Sequence, residues 1–129
     1  MWLGALCLAS CASVSVGFQS DGSYLLERSE QNADCSALHK SIWGRIEVLK
    51  GLPARARVEQ DNAPPTASSF FGRWFGGPNK GLASVAEYNR ERAHVVALRQ
   101  TMVEKKCIEV DISAELAQAD AEIARLRQN

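Results

Sequence analysis

At 129 residues the chain has room for one domain with a modest core, and not for a deep catalytic cleft as well. Its 15 basic and 15 acidic side chains cancel, which argues against a nucleic-acid binder, since such proteins carry a basic surplus. Charge is uneven along the chain: residues 1–20 carry none, residues 82–107 carry five basic and three acidic groups, and residues 108–129 carry two basic and five acidic. Solvated helix faces account for a distribution of this kind.

The chain opens Met1-Trp2-Leu3-Gly4-Ala5-Leu6-Cys7-Leu8-Ala9-Ser10-Cys11-Ala12-Ser13. An apolar run this short is the h-region of a signal rather than a membrane span. Within it, Leu8-Ala9-Ser10-Cys11 is an aliphatic residue, two small residues and a cysteine. This resembles the lipobox of bacterial lipoproteins. The resemblance covers only the start of the chain. It implies that residues 1–10 are a signal peptide, and that Cys11 takes a diacylglycerol and becomes the first residue of the mature protein. Residues 11–22 are then a tether. Ala12 stands where lipoproteins retained in the inner membrane carry Asp, which implies the outer membrane, facing the periplasm. Each buried methylene of a palmitate-like chain contributes roughly 0.8 kcal/mol, so several acyl chains anchor firmly.

Asp21-Gly22-Ser23 reads as a helix start with Ser23 as N-cap. Beyond it Leu25, Leu26, Cys35, Leu38, Ile42, Trp43, Ile46 and Leu49 recur at three- and four-residue spacings, the pattern of an amphipathic helix. This first arm spans 23–60. Gly51-Leu52-Pro53 is expected to stop or kink it, because proline lacks the amide hydrogen and clashes with the preceding turn.

Residues 61–80 hold three of the four prolines and three of the nine glycines, a composition that breaks regular structure. The same stretch holds Phe70, Phe71, Arg73, Trp74 and Phe75. Two readings stand. The aromatics cover the open end of a hairpin as a small satellite core, or they form an exposed patch for a membrane interface or a partner. The glycines lack the Gly-Lys-Ser/Thr ending of a phosphate loop.

Ser84-Val85-Ala86-Glu87 reads as a capping box opening a second arm, 81–110. Tyr88, Val95, Leu98 and Met102 mark one apolar stripe; Val96, Val103, Cys107 and Val110 mark an adjacent one. Glu87 and Glu91 are spaced to support Arg90, Arg92 and nearby cations along the same helix. In the tail helix, 112–127, Ile112, Leu116, Ala119, Ile123 and Leu126 follow four-three spacing, a heptad seam too short to establish a coiled coil. A hairpin folded at residue 71 sets Leu116 opposite Leu26. The tail then packs on residues 23–34, or else pairs with another subunit or another protein.

That same fold sets Cys35 opposite Cys107. The lipobox reading puts the mature chain in an oxidising envelope, where the two can pair. Cys7 leaves with the signal and Cys11 is acylated, so an even pair remains. In a reducing compartment the two stay as buried thiols. The bond closes a loop of 71 intervening residues, about 4 kcal/mol of chain entropy.

Catalytic and metal chemistry find little support. His39 and His94, the two histidines, fall roughly 13 Å apart along the hairpin axis at 1.5 Å per residue and cannot share a metal. Cys35, His39 and Cys107 with Asp34 or Asp111 lack any CxxC or HxxxH spacing. No serine lies in a nucleophile elbow. The expectation is an all-α, antiparallel two-helix hairpin, 23–129, with a short C-terminal helix and one disulfide clamp. It is a non-enzymatic envelope lipoprotein with a structural or interaction role, without cofactor or metal, anchored by its lipid and free to meet an envelope partner. The alternative is a periplasmic helical module whose apolar faces and Trp43 or Trp74 line a pocket for a lipid or similar apolar molecule.

Overall fold

The computed structural model describes residues 15–62 and 82–128. In chain order these hold β1 (Gly17–Phe18), β2 (Tyr24–Leu25), α1 (Arg28–Gln31), α2 (Cys35–Asn62), α3 (Ala83–Glu104) and α4 (Ile112–Gln128). The protein is mostly helical, as expected, with one addition: β1 and β2 pair antiparallel as a small ribbon, Gly17 beside Leu25 and Phe18 beside Tyr24.

The ribbon corrects the expected start of the first arm. Asp21-Gly22-Ser23 is the ribbon's turn and not a helix cap. The Asp21 carboxylate accepts from the Ser23 amide at 3.0 Å and the Ser23 hydroxyl at 2.6 Å, and these bonds hold the Asp21 carboxyl below the usual carboxylate range. Gly22 sits at φ +90°, a left-handed conformation that glycine adopts at no steric cost. Asp and Ser favour turns as readily as caps because the same side-chain-to-backbone bonds serve both. The long helix begins only at Cys35, where the Asp34 carboxylate accepts from the Ala37 amide at 2.8 Å.

Pro53 does not stop that helix. It lies buried inside α2, which runs on to Asn62. The bond to the carbonyl four residues back is lost and the ring crowds that turn, while Leu49, Leu52 and Ala56 around it are fully buried, which favours the helix.

One contiguous core forms. From α2 it takes Leu38, Ile42, Ile46, Leu49, Leu52 and Ala56; from α3, Val85, Tyr88, Val95, Leu98 and Met102; from α4, Ile112, Leu116, Ala119, Ile123 and Leu126. The first stripe read for the second arm is therefore the inward one, whereas Val96 and Val103 of the adjacent stripe face outward. The heptad seam of α4 is consumed within the chain. It packs on α2, with a smaller contact to α3, and not on residues 23–34. Lys50–Glu115 and Arg57–Glu122 ion pairs mark its course along the second half of α2. The ribbon and α1 take the place against α3 instead, with Leu26 buried there.

Candidate functional site

The Cys35–Cys107 disulfide joins the start of α2 to the segment after α3, with Cα atoms 5.5 Å apart. Local geometry delivers both cysteines. Cys35 is the first residue of α2. Beyond α3, Lys106 adopts a left-handed φ of 58°, and the Cys107 amide donates back to the Met102 carbonyl at 2.9 Å. This backward bond ends the helix and reverses the chain. Lys105 adds a bond from Nζ to the Ala33 carbonyl at 2.6 Å, tying the two segments together beside the disulfide. Cys35 is exposed, Cys107 half-buried, and the neighbouring Ile108 is 86% exposed. His39 accepts from Trp43 Nε1 at 3.2 Å one turn up. The bond leaves neither sulfur free as a nucleophile or metal ligand.

The other end of the α2–α3 pair is closed without a covalent bond. Ser84 is buried, and the Glu59 carboxylate accepts from its amide at 3.1 Å and its hydroxyl at 2.6 Å. Ser84 was expected as the N-cap of its own helix. Instead Leu82 occupies that position and makes no side-chain cap. Glu59, reaching across from α2, satisfies the amide in its stead, and its charge suits the positive end of α3. Partners along α3 fall in number as those along α2 rise: Arg45 with Glu91 at 2.7 Å, Arg55 with Glu87 at 3.8 Å, Glu59 with Ser84. Glu87 and Glu91 thus bridge between helices rather than support their own.

Between the two ends lie two polar clusters that sequence reading missed. Asp120 of α4 accepts from the Tyr88 hydroxyl and, at 2.8 Å each, from Nε and Nη2 of Arg92. Burial pushes the Asp120 carboxyl up, but the bonds from Arg92 and Tyr88 outweigh it and hold the group below the usual range. Burial, then the bond to Asp120, pushes the Tyr88 phenol well above its ordinary value. The second cluster is His94, buried, stacked on Tyr24 with ring centroids 3.9 Å apart. Its Nε2 lies 2.6 Å from Oε2 of Glu30. A carboxylate only accepts, so Nε2 carries the hydrogen. The cluster pins the ribbon and α1 to α3. Tyr88 was legible as core, but nothing in the spacing of residues 88, 92 and 120 announces a shared partner.

Cys11 and the aromatic group Phe70, Phe71, Arg73, Trp74 and Phe75 lie outside the described residues, as does the expected bend at residue 71. An open groove along α3, bordered by Phe18, Tyr24, Val96 and Lys105, does not include Trp43. Trp43 packs at the margin of the core. Among the described residues no group of three or more His, Cys, Asp or Glu is placed to hold a metal ion, and no helix is long and apolar enough to cross a membrane. No protein family, curated protein or solved structure matches this chain. What the described geometry offers is a helical body whose elements are tied by one disulfide and by ion pairs and hydrogen bonds between them.

Proposed function

We propose that this protein is a small envelope lipoprotein with a structural or protein-interaction role. Its body is an antiparallel helical hairpin, α2 and α3, on which α4 lies. Cys11 carries the lipid that tethers it to the outer membrane on the periplasmic side. The observation that carries the reading is the Cys35–Cys107 disulfide. Such bonds persist in oxidising compartments, where a leader ending in Leu8-Ala9-Ser10-Cys11 would deliver the chain. The wide sequence separation supports a clasp: the bond constrains the unfolded chain more as the loop lengthens. The apolar faces of the arms are spent on their own core, which favours an interaction role over an apolar ligand pocket.

On this reading Phe70, Phe71, Arg73, Trp74 and Phe75 are the contact for a partner or second bilayer. Metabolic labelling with a palmitate analogue tests the anchor. The wild type takes the label and Cys11→Ser does not. Equal labelling of both, or of neither, sinks the proposal.

A further inference from the structure

The outward face of α2 carries two glycines that its own fold does not need. Gly44 and Gly51 lie seven residues apart, both exposed, and a Cβ at either would meet nothing within 4 Å. Mid-helix glycine weakens a helix relative to alanine, because it leaves the backbone freer in the unfolded chain. On the same face Val48 is 49% and Val58 is 57% exposed. The face thus combines open backbone with uncovered apolar side chains, and no described element covers it.

Its charges add direction. Lys40, Glu47 and Arg55 are exposed on this side of α2 and alternate in sign along the helix, with Asp61 exposed at its edge. A second α2 laid antiparallel with Gly51 at the crossing brings Glu47 level with Arg55 of the other copy and Lys40 within one residue of the level of Asp61. It also sets Val58 over Gly44 and Gly51 against Gly51. A parallel pair sets every charge level with its own kind. The one pairing at this face, Arg55 with Glu87 at 3.8 Å, is long and exposed at 63% on the arginine, so it yields at little cost.

We propose that the outward face of α2 is a self-association surface: two copies pair antiparallel about a two-fold axis at Gly51. The symmetry is isologous, so one patch serves both partners. Missing side chains at Gly44 and Gly51 let the helix backbones approach closely. The inference goes beyond the anchor proposal and does not depend on it.

Register-specific crosslinking of the full chain tests it, with mild oxidation and non-reducing gels. Gly51→Cys links to itself. Gly44→Cys alone does not, since two such residues lie roughly 21 Å apart along the axis, but it links to Val58→Cys when the two variants are mixed. Self-linking of Gly44→Cys as readily as Gly51→Cys indicates a parallel pair and overturns the proposal. So does a lack of linking in every variant. Sedimentation adds a reading that does not rest on cysteine. Glu47→Arg raises the dimer dissociation constant at least tenfold, and the double variant Glu47→Arg with Arg55→Glu restores it. A dimer indifferent to both changes, or a monomer at every concentration, contradicts the proposal. A cooperative thermal melt by circular dichroism verifies that each variant is folded.

Discussion

The two ends of the α2–α3 pair are closed by different physics. At one end a covalent bond joins Cys35 to Cys107; at the other, the Glu59 carboxylate holds the amide and hydroxyl of Ser84. Along α2 the ends lie about 36 Å apart, at 1.5 Å per residue. The disulfide acts chiefly on the unfolded chain, by removing conformations it would otherwise visit. The carboxylate acts only in the folded chain, by satisfying an amide that the helix leaves without a partner. One end therefore answers to redox state, the other to the local charge of a helix terminus.

The largest expected effect is at the covalent end. Replacing Cys35 and Cys107 together with Ser should cost about 4 kcal/mol, read as the shift in a urea unfolding midpoint. Reducing the wild type should reproduce that shift and leave the double variant unmoved. Next comes the middle of the body, where Asp120 holds Tyr88 and Arg92. Asp120→Asn should cost about 1–2 kcal/mol near neutral pH, after allowance for partial exposure. The sign with pH follows from the direction of each shift. Asp120 titrates lower folded than unfolded, so its contribution is present above the ordinary carboxylate value near ~4 and fades as pH falls below it. Tyr88 titrates higher when folded, so its contribution is present below ~10 and fades as pH rises past that. Urea titrations across pH should show Asp120→Asn with a flatter acid limb than the wild type.

Glu59→Ala should cost about 1 kcal/mol, the scale of a lost N-cap. The disulfide variant and Glu59→Ala should add within ~0.5 kcal/mol, since the ends share no partners. Strong coupling between them would break the comparison. The smallest effect has the opposite sign. Gly51→Ala, at protein concentrations where the chain is monomeric, should stabilise it by about 0.5–1 kcal/mol, measured by thermal melting, and leave its sensitivity to reductant unchanged.

Much of the helical body was legible because apolar periodicity reports directly on which face is buried. Leu38, Ile42, Ile46 and Leu49 recur at helical spacing and all lie in the core. The cysteine pairing was legible because the two residues stand evenly about an expected bend. The ribbon was not, since Asp21-Gly22-Ser23 satisfies a turn as well as a helix start, and four paired residues make too short a pattern to show alternation. The reach of Glu59 to Ser84 was hidden for a different reason. Ser84-Val85-Ala86-Glu87 fits a local capping motif by itself, and nothing in that spacing points to Glu59 on another helix. The tail was misplaced because symmetry about residue 71 was extended past the disulfide, whereas Lys106 turns the chain there and sends α4 along α2. Cross-helix groups such as Asp120 with Tyr88 and Arg92 depend on rotation and height of packed helices, and sequence spacing carries neither.

Mass analysis of the mature protein, purified from membranes without reductant and digested before and after reduction, bears most directly on the account. It predicts a chain that begins at an acylated Cys11 and carries one crosslink, between the peptides of Cys35 and Cys107. An unmodified chain beginning at Met1, with both of those cysteines alkylatable before reduction, would contradict it.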